Sequence, residues 1–204
     1  MKSLPPELQY CHGFTNERGS IMGIRRVVTG HDSAGKAVFA SDEMVEPVTV
    51  DLLPQAEFFQ LWGADGPLRF PDGGEEPSSP SYFPPVGGFR FGLFSVAPDG
   101  ATMLDDLDVD AALAEFGDKL PGLGEYLEPD HPGMHTTATI DYEFVVSGRC
   151  ILELDDGATR ELGPGDTVVQ NGTRHAWRNP FDVPCLMVVV TVGAHHDAVD
   201  SPAG

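Results

Sequence analysis

The sequence predicts an all-β domain with one short helix. Glycine and proline are abundant, at 24 and 18 of 204 residues, and they separate short apolar segments. Short strands punctuated by turn residues are typical of a β-sandwich or barrel. The segment 109–119 (VDAALAEFGDK) carries helix signals instead, because Asp108 can cap its start and Pro121-Gly122 can end it. Ala112, Leu113 and Phe116 would form its apolar face.

The N-terminal part of the chain predicts an addition to the main domain. Residues 1–20 show no periodicity and are expected to be a loose arm. Residues 21–88 are interpreted as a β extension that packs on a barrel, with strand candidates at 24–29, 37–41, 48–53 and 57–62. Residues 71–88 are rich in proline, glycine and serine, which predicts an exposed loop.

The C-terminal part predicts the barrel itself, over residues 89–194. Apolar strand-like segments follow one another closely, and Asp156-Gly157 is a strong hairpin signal between two of them. We expect strands at 89–96, 139–146, 149–154, 159–162, 167–170, 173–178 and 184–192. Residues 195–204 are predicted to be a disordered tail.

Charge and composition argue against several classes of partner. The chain has 12 basic and 32 acidic residues, a formal net charge of −20, which predicts no binding to nucleic acid. It has no apolar run of membrane-spanning length and no secretory signal at its start, so we expect a cytoplasmic protein without membrane contact. The three cysteines do not suggest a disulfide framework, and Cys150 and Cys185 are expected to be buried thiols.

The segment around residues 135–145 places ionisable groups on one face of a strand. If His135 points into the domain, the alternation of a strand also directs Thr137, Asp141 and Glu143 inward. A later strand would add His175, Trp177 and Asn179. Buried ionisable groups are costly unless they are paired, solvated or bound to a metal, so this constellation marks the most probable pocket.

Two spaced motifs refine this interpretation. The segment from His135 to Gly148 follows the spacing G-x5-H-x-H-x3-4-E-x6-G, with Thr137 in place of the second histidine and Asp141 in place of the glutamate. The segment 165–179 follows G-x5-P-x-G-x2-H-x3-N at four positions: Gly165, Gly172, His175 and Asn179. It lacks the proline and is one residue shorter between its glycines.

On these motifs, residues 89–192 resemble a cupin, a double-stranded β-helix barrel of the jelly-roll type. The resemblance implies a divalent metal (Fe, Mn, Ni or Zn) on His135, Asp141 and His175. Glu143 could replace the missing histidine or shuttle protons, and Thr137 could hold a water or a substrate group. The resemblance also implies a homodimer.

Two functional hypotheses follow. The first is an enzyme that uses the metal on a small organic acid or an aromatic or polyketide-like metabolite, as a dioxygenase, decarboxylase or isomerase. Trp177 and Gln170 would contact the substrate, and Glu143 and Thr137 would assist the chemistry. The alternative is a metal-free cupin that binds a small ligand without catalysis, because the motif departures weaken the ligand set.

Overall fold

The structure, a computed structural model, describes residues 23–101 and 106–199. The predicted arm at 1–20 and residues 200–204 of the predicted tail lie outside the described residues. The described residues form one α-helix, α1, ten strands and two short 3-10 helices, Leu123–Tyr126 and Asp155–Gly157. In chain order, the strands and α1 are β1 Ile24–His31, β2 Ala37–Val45, β3 Phe58–Ala64, β4 Phe89–Val96, α1 Val109–Lys119, β5 Thr139–Ser147, β6 Cys150–Glu153, β7 Thr159–Leu162, β8 Thr167–Asn171, β9 Ala176–Arg178 and β10 Cys185–Gly193.

The strands form two facing antiparallel sheets and a separate hairpin. The large sheet has the order β3-β4-β10-β5-β8, the small sheet has the order β7-β6-β9, and β1 pairs with β2 alone. Val145 and Met187 of the large sheet pack with Cys150 of the small sheet in one buried cluster, to which Trp177 adds its ring. The all-β prediction is therefore confirmed, and so is the burial of Cys150 and Cys185.

Glycines at the motif positions permit the tight turns between strands. Gly148 has a φ of +73°, and a Cβ atom there would lie 2.3 Å from the carbonyl oxygen of Pro184. Gly165 and Gly172 also have positive φ, at 95° and 58°. Side chains are disfavoured in this conformation, which explains why the turns of the motif carry glycine.

The N-terminal strands are mostly where the sequence predicts them, with one error. The hairpin β1–β2 forms, and β3 becomes an edge of the large sheet. The predicted strand at 48–53 is wrong, because only Val48 makes an isolated bridge, to Phe58. The chain turns back at once, with the amide of Leu53 donating to the carbonyl of Val50, and the apolar side chains pack near α1 instead.

The helix spans the predicted residues. The carboxylate of Asp108 caps it by accepting a hydrogen bond of 3.1 Å from the amide of Ala111. Ala112 and Phe116 are buried, but Leu113 is 54% exposed, so the apolar face is narrower than predicted. No helix among the described residues has the length and apolar character needed to cross a membrane.

The loop at 71–88 differs from the expectation of an exposed segment. Its second half is largely inside the molecule, since Phe83, Pro84 and Pro85 are buried. The guanidinium of Arg90 donates to the carbonyl of Ser81 at 2.9 Å, and the amide of Tyr82 donates to the carbonyl of Pro121 at 2.8 Å. The apolar residues of this loop form a wall against the large sheet.

Candidate functional site

Strand β5 directs alternate side chains into the domain, as the sequence predicts. Asp141 and Glu143 are only 6% and 5% exposed, whereas Tyr142 and Phe144 between and beside them are 49% and 43% exposed. Thr137, just before the strand, is also buried. The inward face of β5 is therefore polar at one end and apolar near Val145.

The two carboxyl groups of this face lack complete hydrogen bonding. Within the described residues, Oδ1 of Asp141 and Oε2 of Glu143 are buried without a partner. Burial raises the pKa of Asp141 to about 6, although the hydroxyls of Thr139 and Thr191 hold it down. Burial raises the pKa of Glu143 to about 8, and the neighbouring charge of Asp141 adds to the rise. At neutral pH, Glu143 therefore keeps its proton while Asp141 is mostly ionised.

Hydroxyl and amide groups surround this carboxyl pair. The hydroxyls of Thr137 and Thr139 are 2.8 Å apart. Because the hydroxyl of Thr139 also bonds Asp141, the predicted site residue Thr137 is linked to that carboxylate. Gln170 lies opposite Asp141 on β8, but its amide nitrogen donates to the carbonyl of Thr173 at 3.1 Å. Gln170 thus fixes the turn after β8.

The two histidines meet at a short backbone bridge between the sheets. Each backbone amide donates to the other's carbonyl at 2.9 Å, and the ring centroids of His135 and His175 are 4.1 Å apart. Nδ1 of His135 lies 3.1 Å from the carbonyl oxygen of Gly133, and Nδ1 of His175 lies 2.8 Å from that of Thr173. Because a carbonyl only accepts, each Nδ1 carries the proton and each Nε2 keeps its lone pair.

The histidine pair is neutral at physiological pH. Burial lowers the pKa of His135. Burial, together with the nearby His135, lowers the pKa of His175 to about 4. Two uncharged imidazoles with free Nε2 lone pairs can accept hydrogen bonds or bind a cation.

Two arginines hold the segment that carries His135 against β9. Arg174 donates twice to the carboxylate of Glu128, at 2.6 Å each, and once to Asp155 at 2.8 Å. Arg178 donates to the carbonyl of Pro132 at 2.7 Å. Bidentate pairs of this kind fix geometry as well as charge, so they position the histidine pair.

The remaining members of the later strand have different roles. The ring of Trp177 stands edge-on to His175, with centroids 6.0 Å apart, and contributes a wall beside the histidines. Asn179 is completely buried, and its amide donates to the carbonyls of Val96 and Val183 at 2.8 and 2.9 Å. Asn179 is therefore a structural residue that ties together two chain segments.

The structure does not assemble the predicted three-ligand metal centre. Within residues 23–101 and 106–199, no three His, Cys, Asp or Glu side chains are placed to hold one ion. The bridge brings His135 and His175 together, whereas Asp141 lies along the sheet beside Thr191, its partner on β10. Glu143 does not supply a third metal ligand beside the two histidines either. The described residues therefore fit a two-histidine anchor but not the ligand set that the resemblance implies.

The sequence analysis missed one site residue, Tyr82. Its ring lines a pocket of about 50 Å³ between the loop at 71–88 and strands β3, β4 and β10. Burial and the charges of Asp141 and Glu143 raise the pKa of Tyr82, so its phenol stays protonated. The signal that could have identified it is the adjacent aromatic pair Tyr82-Phe83, next to prolines in an otherwise polar loop.

Comparisons with known proteins agree with the motif spacing. Residues 124–191 match the family model described as Cupin domain (Cupin_2). The chain is 36% identical over 87 residues to oryzines biosynthesis cluster protein J of Aspergillus oryzae, which covers 36% of this chain and 49% of that protein. It is 52% identical over 68 residues to phomopsin biosynthesis cluster protein D of Diaporthe leptostromiformis, covering 33% and 36%.

A third relative carries the name of an enzyme class. The chain is 39% identical over 46 residues to the cupin-domain-containing oxidoreductase virC of Hypocrea virens, covering 22% of this chain and 24% of that protein. The matches thus span half or less of the length of these relatives. The matched region contains the histidine pair, the carboxyl pair and the hairpins between them. Over residues 124–191, the chain is therefore similar to the cupin domain family.

Proposed function

We propose that this chain is an enzyme that transfers protons on a small organic molecule bound inside its cupin domain. The observation that carries the proposal is the carboxyl pair Asp141–Glu143, buried on the inward sheet face with one unpartnered oxygen on each side chain. Two relatives are named as proteins of biosynthesis clusters, which supports a metabolite as the substrate.

The environments of the two carboxyls assign them opposite roles. Glu143, with its pKa raised to about 8, is the proton donor at neutral pH. Asp141, with a pKa of about 6, is the base that removes a proton elsewhere on the substrate. Pairs of titratable groups whose pKa values are pushed apart commonly divide acid and base roles in this way. A keto–enol or double-bond shift needs these two transfers and no redox partner, and it leaves Asp141 protonated and Glu143 ionised until a proton returns.

Other residues of the site would bind and orient the substrate. The hydroxyl of Thr137 fixes that of Thr139, which in turn bonds Asp141. The Nε2 atoms of His135 and His175 would accept hydrogen bonds from substrate hydroxyl or amide groups. Trp177 would limit the space beside the histidines.

The test replaces Glu143 in the organism that makes the protein. In a Glu143→Gln strain, we expect a metabolite to accumulate that purified wild-type protein converts, with deuterium uptake when the reaction runs in D₂O. Purified Glu143→Gln protein should leave the compound unchanged. Conversion by both proteins, or by neither, would overturn the proposal; binding without conversion would favour a metal-free binding protein.

A metal-dependent oxidoreductase is the second candidate. The free Nε2 atoms of the histidine pair favour it, and so does the similarity to a relative named as an oxidoreductase. The described residues supply two histidine ligands but no third, which is why this candidate comes second. Plasma mass spectrometry of untagged wild-type, His135→Ala and His175→Ala protein tests it. Near-stoichiometric Fe, Mn, Ni or Zn that both substitutions remove would support this candidate, and no metal after reconstitution would eliminate it.

A further inference from the structure

We propose that the pocket beside Tyr82 selects a small organic cation, a protonated amine, as the substrate of this site. The inference rests on the proposed function, since it names the substrate class for the same carboxyl pair. It follows from four features: unpartnered acceptors, the position of the pocket on the same sheet face, aromatic walls and the absence of an available base.

The first feature is the missing hydrogen-bond donors. Asp141 and Glu143 are more than nine-tenths buried, and each has an oxygen without a partner among the described residues. An unsatisfied buried acceptor costs about 1–3 kcal/mol, so a ligand N–H group that reaches it gains that free energy. An ammonium group offers several donors and a compensating charge.

The second feature is the position of the pocket on the same sheet face. Thr191 and Val189 line it, and they are the β10 partners of Asp141 and Glu143. Neighbouring strands are about 4.8 Å apart, so a cation in the pocket beside β10 lies one strand away from Asp141 and Glu143 on β5. The hydroxyl of Thr191 bonds Asp141 and connects the two places.

The third feature is the aromatic lining. Phe58 and Tyr82 border the pocket, and the ring of Phe58 contacts that of Tyr82 with centroids 6.1 Å apart. Trp62 also borders it, but the guanidinium of Arg26 already lies over that ring, 5.4 Å from its centroid. Aromatic faces attract ammonium groups, and walls of this composition suit an alkylammonium ion.

No basic side chain of the lining competes for the carboxyls. Arg90 is the only base among the lining residues. Its guanidinium bonds Asp65 at 2.6 Å and the carbonyls of Ser81, Phe89 and Ala64. Glu76 is already paired with Arg26 at 2.8 Å. The carboxyl pair beside the pocket therefore has no base of the lining as its partner, which disfavours anions.

The experiment compares three probes of one shape on the full chain: propylammonium, 1-propanol and propionate. The pocket volume of about 50 Å³ suits probes of this size, since one water needs about 10–15 Å³. Binding is followed by NMR titration at pH 9, where an alkylammonium, with an ordinary pKa of about 10.4, keeps its proton.

We expect propylammonium to bind at least about tenfold more tightly than either isostere. Glu143→Gln and Asp141→Asn should each remove most of that preference. Asp118→Asn, on the exposed side of α1, makes the same change in net charge and should leave binding unchanged. The wild-type ranking of the three probes remains decisive if a variant fails to fold.

Equal binding of 1-propanol or propionate would overturn the amine assignment. So would no binding of propylammonium, or an equal loss in Asp118→Asn. These results are independent of turnover: conversion of the accumulated metabolite without amine preference overturns the substrate class alone. Amine binding without any conversion overturns the proton-transfer proposal alone.

Discussion

The carboxyl pair Asp141–Glu143 and the histidine pair His135–His175 are buried in the same domain but differ in how their polar atoms are satisfied. Each histidine ring donates from Nδ1 to a backbone carbonyl, and the arginines Arg174 and Arg178 fix the segments around them. Each carboxyl keeps one unpartnered oxygen.

Burial has opposite consequences for the two pairs. It lowers the pKa of the histidines, which stay neutral until the solution is acidic, and it raises the pKa of the carboxyls, to about 6 for Asp141 and about 8 for Glu143. The histidine pair therefore destabilises the fold at low pH and the carboxyl pair destabilises it at high pH. The unsatisfied pair is the one that a ligand would complete.

Glu143→Gln should produce the largest effect. Unfolded Glu143 ionises near 4.5 and folded Glu143 near 8, so the wild-type free energy of unfolding falls as pH rises between these values. The full loss is on the order of 5 kcal/mol, since one pKa unit is worth about 1.4 kcal/mol. Glu143→Gln should remove this slope in urea unfolding at pH 5, 7 and 9, whereas the exposed Glu161→Gln should keep it. A wild-type slope in Glu143→Gln would contradict the buried-acid interpretation.

His175→Gln should change how the free energy of unfolding depends on pH in the acidic range. Folded His175 has a pKa of about 4 against an ordinary 6.5, so its contribution to stability is present above 6.5 and is lost as pH falls towards 4. The loss is about 3 kcal/mol. Urea unfolding between pH 4 and 7 should show a flatter profile for His175→Gln than for wild type. The exposed His195→Gln serves as control, and an unchanged acid slope in His175→Gln would show that the ring is not buried as described.

Thr137→Val, next to the carboxyl pair, should lower the free energy of unfolding by a smaller amount. It removes the hydroxyl that lies 2.8 Å from that of Thr139, at a cost of about 1 kcal/mol in the free energy of unfolding. Thr137→Ser keeps the hydroxyl and should retain most of the stability. If both variants unfold alike in urea, the hydroxyl chain to Asp141 does not support the site.

Arg174→Gln should have the smallest effect on stability but a visible one on the histidines. Arg174 is partly exposed, and so are its ion pairs with Glu128 and Asp155. Ion pairs that water can reach contribute little to the free energy of unfolding. We expect the ring proton signals of His135 and His175 to shift in NMR spectra while thermal unfolding barely changes. Arg149→Gln, which removes a more exposed ion pair with Glu161 away from the histidines, should leave those signals in place.

Local patterns predicted the strands that carry the site. Strand alternation placed Thr137, Asp141 and Glu143 inside and Tyr142 outside, because the side-chain period of a strand is two residues. The motif spacing identified the turns around Gly148 and Gly172 for the same local reason. The pairing of His135 with His175 also agrees with the inward direction predicted for both.

The errors arose where distant segments meet. The segment 48–53 has strand-like apolar residues, but they pack near α1 and the chain turns. Leu113 belongs to the apolar pattern of α1, but within residues 23–101 and 106–199 its side chain stays 54% exposed. Tyr82 lies in a loop whose composition predicts exposure, and its position depends on contacts with Pro121 and Phe58.

The sequence by itself determined the β class, the helix limits, the inward parity of β5 and the similarity of residues 124–191 to the cupin domain, since these depend on spacing along one chain segment. Only the tertiary structure decided which inward groups meet. It joined His135 to His175, left Asp141 and Glu143 together on the sheet, and placed Tyr82 in the pocket one strand away from them. Parity fixes which face a side chain takes, but the packing of two sheets and a loop fixes the distance between groups, and that distance determines which chemistry they can perform.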